Sequence, residues 1–353
     1  MTRNMELRKN KVLLGLSGGV DSATAALLLK EKGCEVIGYY FDVKGKNEAG
    51  RVSAEDVAKH LNIPLIYEDV STDFREIVIE NFITEYLHGR TPNPCVLCNP
   101  NIKFKRLIHH ADEIGAYYIA TGHYCRILRD ETRQLSYIRR AVNDQKDQSY
   151  MLYRLGQDVL SRLIFPLGEF CSKEKTREVA RDGKLSNADK KDSQEICFIE
   201  PEDNYVSYIT AVGGTSAPGN FVDREGRVLG RHKGILHYTI GQRKGLGIAL
   251  GKPAFVTEIR AARNEVVLGD NEELFACEVR STNHIFADGN PAAYDGKTVF
   301  AKVRYSAPPS EAVLHVEGDK IKTVFAKPQR AMTPGQSIVF YDDDKLLGGG
   351  FIE

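Results

Sequence analysis

The sequence carries no surplus of charge. Its 48 lysines and arginines are matched by 48 aspartates and glutamates, which excludes a globally basic nucleic-acid binder but not a local basic face. No apolar run approaches the length of a membrane span, and the first residues lack the apolar segment of a signal peptide. A cytoplasmic protein without a membrane partner is therefore expected. No internal repeat or low-complexity tract is present. Cysteine is sparse, at seven residues, which in a cytoplasmic chain argues for reactive thiols, metal ligands or buried side chains rather than a disulfide framework. The pair Cys95 and Cys98 has no second Cys-x-x-Cys or paired-histidine motif beside it, so a complete structural zinc site is not expected. What remains is an ordinary globular composition, 42% hydrophobic and 27% charged, in 353 residues: enough for two or three domains.

The most informative stretch is Gly15-Leu16-Ser17-Gly18-Gly19-Val20-Asp21-Ser22. It follows the apolar run Val12-Leu13-Leu14 and opens the alanine-rich segment Ala23 to Lys30. The order predicted is strand, glycine turn, helix. Such a turn aims backbone N–H groups and a helix N-terminus at one point, which suits a phosphate. Gly18 and Gly19 permit unusual backbone angles and close ligand approach. Ser17 and Ser22 add hydroxyls, and Asp21 could cap the helix or help hold Mg²⁺. No Gly-Lys-Ser/Thr follows, so this is not a Walker loop. The eight residues resemble the pyrophosphatase loop, Ser-Gly-Gly-x-Asp-Ser, of enzymes that split ATP to AMP and pyrophosphate.

Up to about residue 70, strands (36–41, 65–67) alternate with helical spacing (53–60), which implies a doubly wound parallel sheet with ligands beyond its C-terminal strand ends. Phe41 stands at one such end, as an adenine-pocket residue or as core. Phe74 to Leu87 reads as an amphipathic helix. Pro92, Pro94 and Pro100 then disfavour regular structure, so residues 89–105 read as a loop that holds Cys95 and Cys98. Lys103, Lys105 and Arg106 could lower a thiol pKa or meet phosphate.

Tyr117 to Ala120 predicts a further strand that ends in Thr121-Gly122-His123-Tyr124. Asp144 to Leu152 reads as a polar cluster entering an apolar helix, where Gln148 could read a base edge or cap the helix. Ser172 to Asp182 is a charged helix with one buried face. Cys197 precedes the apolar pair Phe198-Ile199 and by itself reads as a buried cysteine; nearby Glu195 offers no thiolate stabilisation. From Arg224 to Lys244 there are six basic residues and one acidic residue, with Tyr238 and Gln242, a segment that suits an RNA backbone or is a solvated charged face. Short β-like runs at 298–305, 312–316 and 337–341 imply a small antiparallel barrel or sandwich. The expected division is a catalytic domain at 1–203, a small central α+β domain at 204–268 and a C-terminal β-barrel at 269–353.

Together these motifs resemble the bacterial tRNA-specific 2-thiouridylases, which replace O2 of uridine 34 by sulfur. The resemblance runs nearly the whole length: Gly15–Ser22, Arg90-Thr91-Pro92-Asn93-Pro94, Cys98-Asn99, residues 102–105, 120–124, 146–150, 196–199 and the specific run Tyr238 to Gly247. It implies that Cys98 is the nucleophile and Cys197 the persulfide carrier. The two would close a disulfide that a reductant reopens. It further implies that Gly15, Leu16, Ser17, Gly18, Gly19, Val20, Asp21, Ser22, Phe41 and Gly122 bind ATP with Mg²⁺. Asn93, Pro94 and Cys95 would face the target base. His123, Lys146, Asp147, Gln148, Arg304, Tyr305 and Gln336 would contact tRNA of the lysine, glutamate and glutamine types. A cysteine desulfurase or sulfur-relay protein would supply the sulfur.

One position departs from the pattern. The family usually has Asp three residues before the nucleophile, where this chain has Cys95. Cys95, Cys98 and Cys197 could instead hold an iron–sulfur cluster, a reading less favoured than the persulfide. Two further functions compete with tRNA thiolation. An amidating ATP-pyrophosphatase predicts a glutaminase domain or ammonia channel. A non-enzymatic tRNA binder predicts indifference to loss of either cysteine.

Overall fold

The computed structural model describes residues 10–190, 196–200 and 202–353. Glu195 lies outside the described residues. The chain forms two compact units: Met1–Ile77 with Cys95–Gln194 and Asp344–Leu347, and Val78–Pro94 with Glu195–Asp343 and Gly348–Glu353.

In the first unit, β1 (Lys11–Gly15), α1 (Val20–Glu31), β2 (Glu35–Asp42), α2 (Glu48–Leu61) and β3 (Leu65–Asp69) follow the alternation expected. With β4 (Tyr118–Thr121) and β7 (Leu163–Ile164) the strands form a parallel sheet ordered β3-β2-β1-β4-β7. Val12, Leu13 and Leu14 are fully buried, because a central parallel strand is covered on both faces. Between β4 and β7, β5 (Cys125–Asp130) and β6 (Leu135–Arg140) make an antiparallel hairpin. The segment Asp344–Leu347 belongs here too: Arg126 and Arg139 meet the Asp344 carboxylate at 2.7 and 2.6 Å.

After β3 the chain runs through α3 (Ser71–Phe74), a π turn (Arg75–Ile79) and α4 (Glu80–Leu87), matching the predicted amphipathic helix. The expected cysteine loop is irregular only over residues 89–93, and from Pro94 onward it is helical. That stretch is α5 (Pro94–Cys98), a π turn (Asn99–Lys103) and α6 (Phe104–Glu113). Pro94 opens α5, where its missing N–H has no helical acceptor to lose. Pro100 lies in the π turn, closed by a bond from the Phe104 N–H to the Asn99 carbonyl; the wider turn relieves the clash a proline ring makes in a tight helix. The predicted helix at 144–152 is likewise shorter, a 3₁₀ turn at Ser149–Leu152. It is followed by α7 (Gln157–Leu160) and, after β7, by α8 (Lys173–Asp182), whose N-cap Ser172 accepts from the Lys175 N–H.

In the second unit, α4 packs on the 196–200 segment and α9 (Tyr205–Ala211): Phe82 meets Phe198 edge-on at 5.3 Å, and Tyr86 stacks on Tyr205 at 4.4 Å. A small sheet follows, ordered β10-β11-β8-β9, from β8 (Gly219–Val222), β9 (Val228–His232), β10 (Phe255–Arg260) and β11 (Glu265–Gly269). Its core is Phe221, Ile235, Tyr238, Leu246, Val256, Val266 and Leu268. Beyond it, β12 (Phe275–Phe286), β15 (Lys320–Arg330), β14 (Ser310–Glu317), β13 (Thr298–Lys302), β16 (Ser337–Asp342) and β17 (Lys345–Ile352) follow one another, and β12 pairs with β17 to close a barrel. Closure removes the exposed strand edges of an open sheet.

Candidate active site

The glycine loop leaves β1 and enters α1 with Gly18 at φ +73°, a left-handed angle that favours glycine. A Cβ at Gly18 would lie 2.7 Å from the Ser53 Cβ. The Gly18 carbonyl accepts from Ser53 Oγ at 3.0 Å and Asn187 Nδ2 at 2.9 Å, and Lys190 Nζ donates to Ser53 Oγ at 3.2 Å. The serine hydroxyls are turned inward: Ser17 and Ser22 Oγ lie 3.2 Å apart, and Ser22 Oγ donates to the Gly19 carbonyl at 3.1 Å. No side chain caps α1, so its N-terminal N–H groups keep the anion-binding character of an open helix start.

Asp21 does not cap α1. Its Oδ1 accepts from Lys173 Nζ at 2.6 Å and from the Tyr124 hydroxyl at 2.8 Å. Tyr124 Oη in turn lies 2.7 Å from Thr176 Oγ1. Sequence reading did not find Lys173, Thr176, Ser53 or Asn187. The one local sign was a lysine opening a helix, where the macrodipole disfavours positive charge.

Gly15–Ser22, Phe41 and Gly122 stand at the C-terminal ends of β1, β2 and β4, three adjacent strands. Gly122 presses on the loop: a Cβ there would lie 2.7 Å from the Ser22 nitrogen and 2.8 Å from the Asp21 carbonyl carbon. Phe41 is half-buried, with Lys103 Nζ 5.9 Å from its ring centre. His123 bonds Thr121 Oγ1 through Nδ1 at 2.7 Å and stacks near Phe104. Burial, reinforced by Lys103, holds its pKa well below the usual imidazole range, so the ring is neutral.

Cys98 is buried on α5, and the next residue, Asn99, donates through Nδ2 to the Met151 carbonyl at 2.9 Å. Cys95, on the same helix, reaches the surface in a crowded setting. Desolvation raises its thiol pKa, and the Lys103 charge opposes that only in part. Arg106 is engaged elsewhere, by Glu68 at 3.4 Å and by Asp73.

Lys146 lines a cleft of about 490 Å³ with Asp144, Cys171, Ser172 and Lys173. Asp147 is buried: Oδ1 accepts from the Ala141 N–H and Oδ2 from Ser149 Oγ, at 3.0 and 2.8 Å. Gln148 Oε1 accepts from the Tyr124 N–H at 3.0 Å and makes no side-chain cap.

In the second unit Cys197 is exposed, not buried as its apolar neighbours suggest. A bond from the Ile199 N–H to the Ile196 carbonyl closes a turn with Cys197 and Phe198 at its centre. Phe198 takes the buried position against Phe82 and Tyr208. Asn93 and Pro94 are half-buried at the end of a strapped segment. The Thr91 N–H donates to the Pro334 carbonyl, and Gln336 Nε2 donates to the Thr91 carbonyl at 2.7 Å. Arg304 and Tyr305 lie just beyond β13. Arg304 Nε is buried without a partner among the described residues, and Tyr305 is exposed with Lys302 Nζ 5.8 Å from its ring.

In the basic segment the expected RNA-facing Tyr238 is core, packed on Phe221 and His232, and Gln242 bonds the Thr239 N–H and the Lys244 carbonyl. Arg227 pairs with Asp223 and Glu225. Arg243 and Lys244 are exposed. Among the described residues, no group of three or more His, Cys, Asp or Glu side chains is placed to hold a metal ion, and no helix is long and apolar enough to cross a membrane.

Three domain models match in succession: the tRNA methyl transferase HUP domain over residues 10–201, the tRNA methyl transferase PRC-barrel domain over 207–270 and the aminomethyltransferase beta-barrel domain over 276–352. The tRNA-specific 2-thiouridylase MnmA 2 of Clostridium botulinum strain Hall is 48% identical over 98% of this chain and 99% of its own. The tRNA-specific 2-thiouridylases MnmA of Clostridium acetobutylicum and Clostridium perfringens are each 46% identical, over 97% and 98% of this chain and 99% of theirs. Likeness of this degree from end to end means that the chain belongs to the tRNA-specific 2-thiouridylase family.

Proposed function

We propose that this chain exchanges O2 of uridine 34 for sulfur in tRNA, in the cytoplasm, at the expense of ATP. The observation that carries the reading is the convergence of Gly15–Ser22, Phe41 and Gly122 on adjacent strand ends of the unit that also holds Cys98. A nucleotide fits these residues. The uncapped start of α1 suits phosphates, and Phe41 offers an aromatic face for a base. Mg²⁺, held by the phosphates and the Asp21 carboxylate, would neutralise charge growing on the departing pyrophosphate.

The chemistry needs both halves. A carbonyl oxygen is a poor leaving group, and adenylation turns it into AMP. In one route the terminal sulfur of a persulfide on Cys197 bonds to C2 as AMP departs, and the Cys98 thiolate then attacks Cys197 Sγ, breaking the S–S bond and leaving the sulfur on C2; in the other Cys98 attacks Cys197 Sγ first, and the sulfide released bonds to C2 and displaces AMP. In both routes Cys98 and Cys197 end as a disulfide, and a two-electron reductant restores the thiols. The target base must leave its stack to be reached, which Asn93, Pro94 and Cys95 would meet. The half-buried Arg304 would offer its guanidinium to an RNA phosphate, and Lys146, Asp147, Gln148, His123 and Gln336 complete the proposed tRNA contacts. The domain models are described as methyl transferases, but a pyrophosphatase-type loop has no part in moving a methyl group. The function named for the relatives uses it. The proposed domain edges follow residues 203 and 268.

The test is incubation with unmodified tRNA, ATP, Mg²⁺ and a cysteine desulfurase with cysteine. The expected products are 2-thiouridine at position 34 and an equal amount of AMP. Thiouridine without AMP, or neither, contradicts the proposal.

A further inference from the structure

The loop Gly15–Ser22 has no lysine of its own, unlike a Walker loop, yet an ammonium stands beside it. Lys173 Nζ lies 2.6 Å from Asp21 Oδ1, and the two residues are 152 positions apart. Nothing local explains this lysine. It is the first residue of α8, where a positive charge opposes the helix macrodipole, and it is buried, where an ammonium is costly unless paired. Asp21, in the first turn of α1, supplies the pairing, and the Tyr124 ring adds a second favourable face 5.7 Å from Nζ. Tyr124 also bridges Asp21 Oδ1 and Thr176 Oγ1, one turn further along α8, so α8 grips Asp21 by two arms. Both hydrogen bonds that Asp21 accepts from described residues fall on Oδ1, and its side chain, in the loop itself, is about one-third exposed, so the pair is not sealed in core.

We propose that Lys173 is a phosphate-binding residue: held by Asp21, its ammonium meets the pyrophosphate portion of ATP and the pyrophosphate that leaves. The proposal rests on the use of ATP at this loop. It assigns Asp21 a positioning role beside any part in binding a cation, and it explains why a buried charge is tolerated at the start of α8.

Binding distinguishes a phosphate contact from a structural one. By calorimetry on the full chain, Lys173→Met should weaken ATP and inorganic pyrophosphate by about tenfold or more, the worth of one charge-assisted bond, while AMP changes by less than about twofold. Lys173→Arg should recover part of the loss. Equal weakening of ATP and AMP, or no change in either, overturns the proposal. If Lys173→Met does not fold, ¹⁵N-labelled wild type gives the second readout: the Lys173 ammonium resonance shifts on adding pyrophosphate and not on adding adenosine. No shift with pyrophosphate overturns it. A wild type that binds no ATP overturns the proposed function as well; a wild type that binds ATP, with a Lys173→Met variant that binds it equally, overturns this inference alone.

Discussion

Gly122 lies against the peptide between Asp21 and Ser22 so closely that a single added methyl group would sit 2.7 Å from the Ser22 nitrogen. The turn after β4 thereby fixes the start of α1, which carries the proposed phosphate site. Gly122→Ala should displace the loop. ATP-dependent activity should fall on the order of a hundredfold, as catalysis does when reacting groups are misplaced by about 1 Å. Steady-state AMP formation with saturating tRNA checks this; unchanged rates would mean that the loop tolerates displacement.

The Gln336 amide holds the Thr91 carbonyl, two residues before Asn93. Gln336→Ala leaves that carbonyl without its partner and should cost about 1 kcal/mol of stability. It should also loosen the 90–94 segment and weaken tRNA binding. Denaturant titration and filter binding measure the two effects separately.

Phe198 anchors the turn that exposes Cys197. Phe198→Ala empties a site packed between Phe82 and Tyr208 and should cost about 3 kcal/mol or more. Because Phe198 and the ATP loop lie in different units, nucleotide affinity should be unchanged while thiolation is lost. Calorimetry with ATP alongside a thiouridine assay would show whether the two effects separate in this way.

His123 titrates below the usual imidazole range because burial, and then Lys103, disfavour its charged form. The unfolded chain therefore binds more protons than the folded one as pH falls through about 6.5, and stability drops in acid. His123→Gln should flatten this part of the profile; His232 and His237, shifted in the same direction, keep the remainder. Melting temperatures from pH 7.5 to 5.5 are the measurement, and a variant with an unaltered slope would contradict the assignment.

Much of this architecture is legible in the sequence because its signals are local. A buried run, a glycine turn and an alanine-rich helix placed the loop, and alternation gave the parallel sheet. The helix through Cys95 and Cys98 was not legible. Three prolines argue for a loop unless Pro94 stands at a helix start and Pro100 in a widened turn, and neither is visible before the backbone is known. Cys197 reads as buried from its apolar neighbours, but Phe198 and Ile199 take the buried positions and leave it exposed. Tyr238 and Gln242 looked like an RNA face because composition does not say which side chains the core consumes. Lys173 could not be matched to Asp21 because their contact exists only in the folded chain.

In the proposed reaction the loop activates the uridine while the cysteines deliver the sulfur, so the two steps can be separated. The most direct measurement compares wild type with Cys197→Ser, following both tRNA-dependent AMP formation and 2-thiouridine. Cys197→Ser should still make AMP with tRNA present and form no thiouridine. Equal thiouridine from both proteins would contradict it.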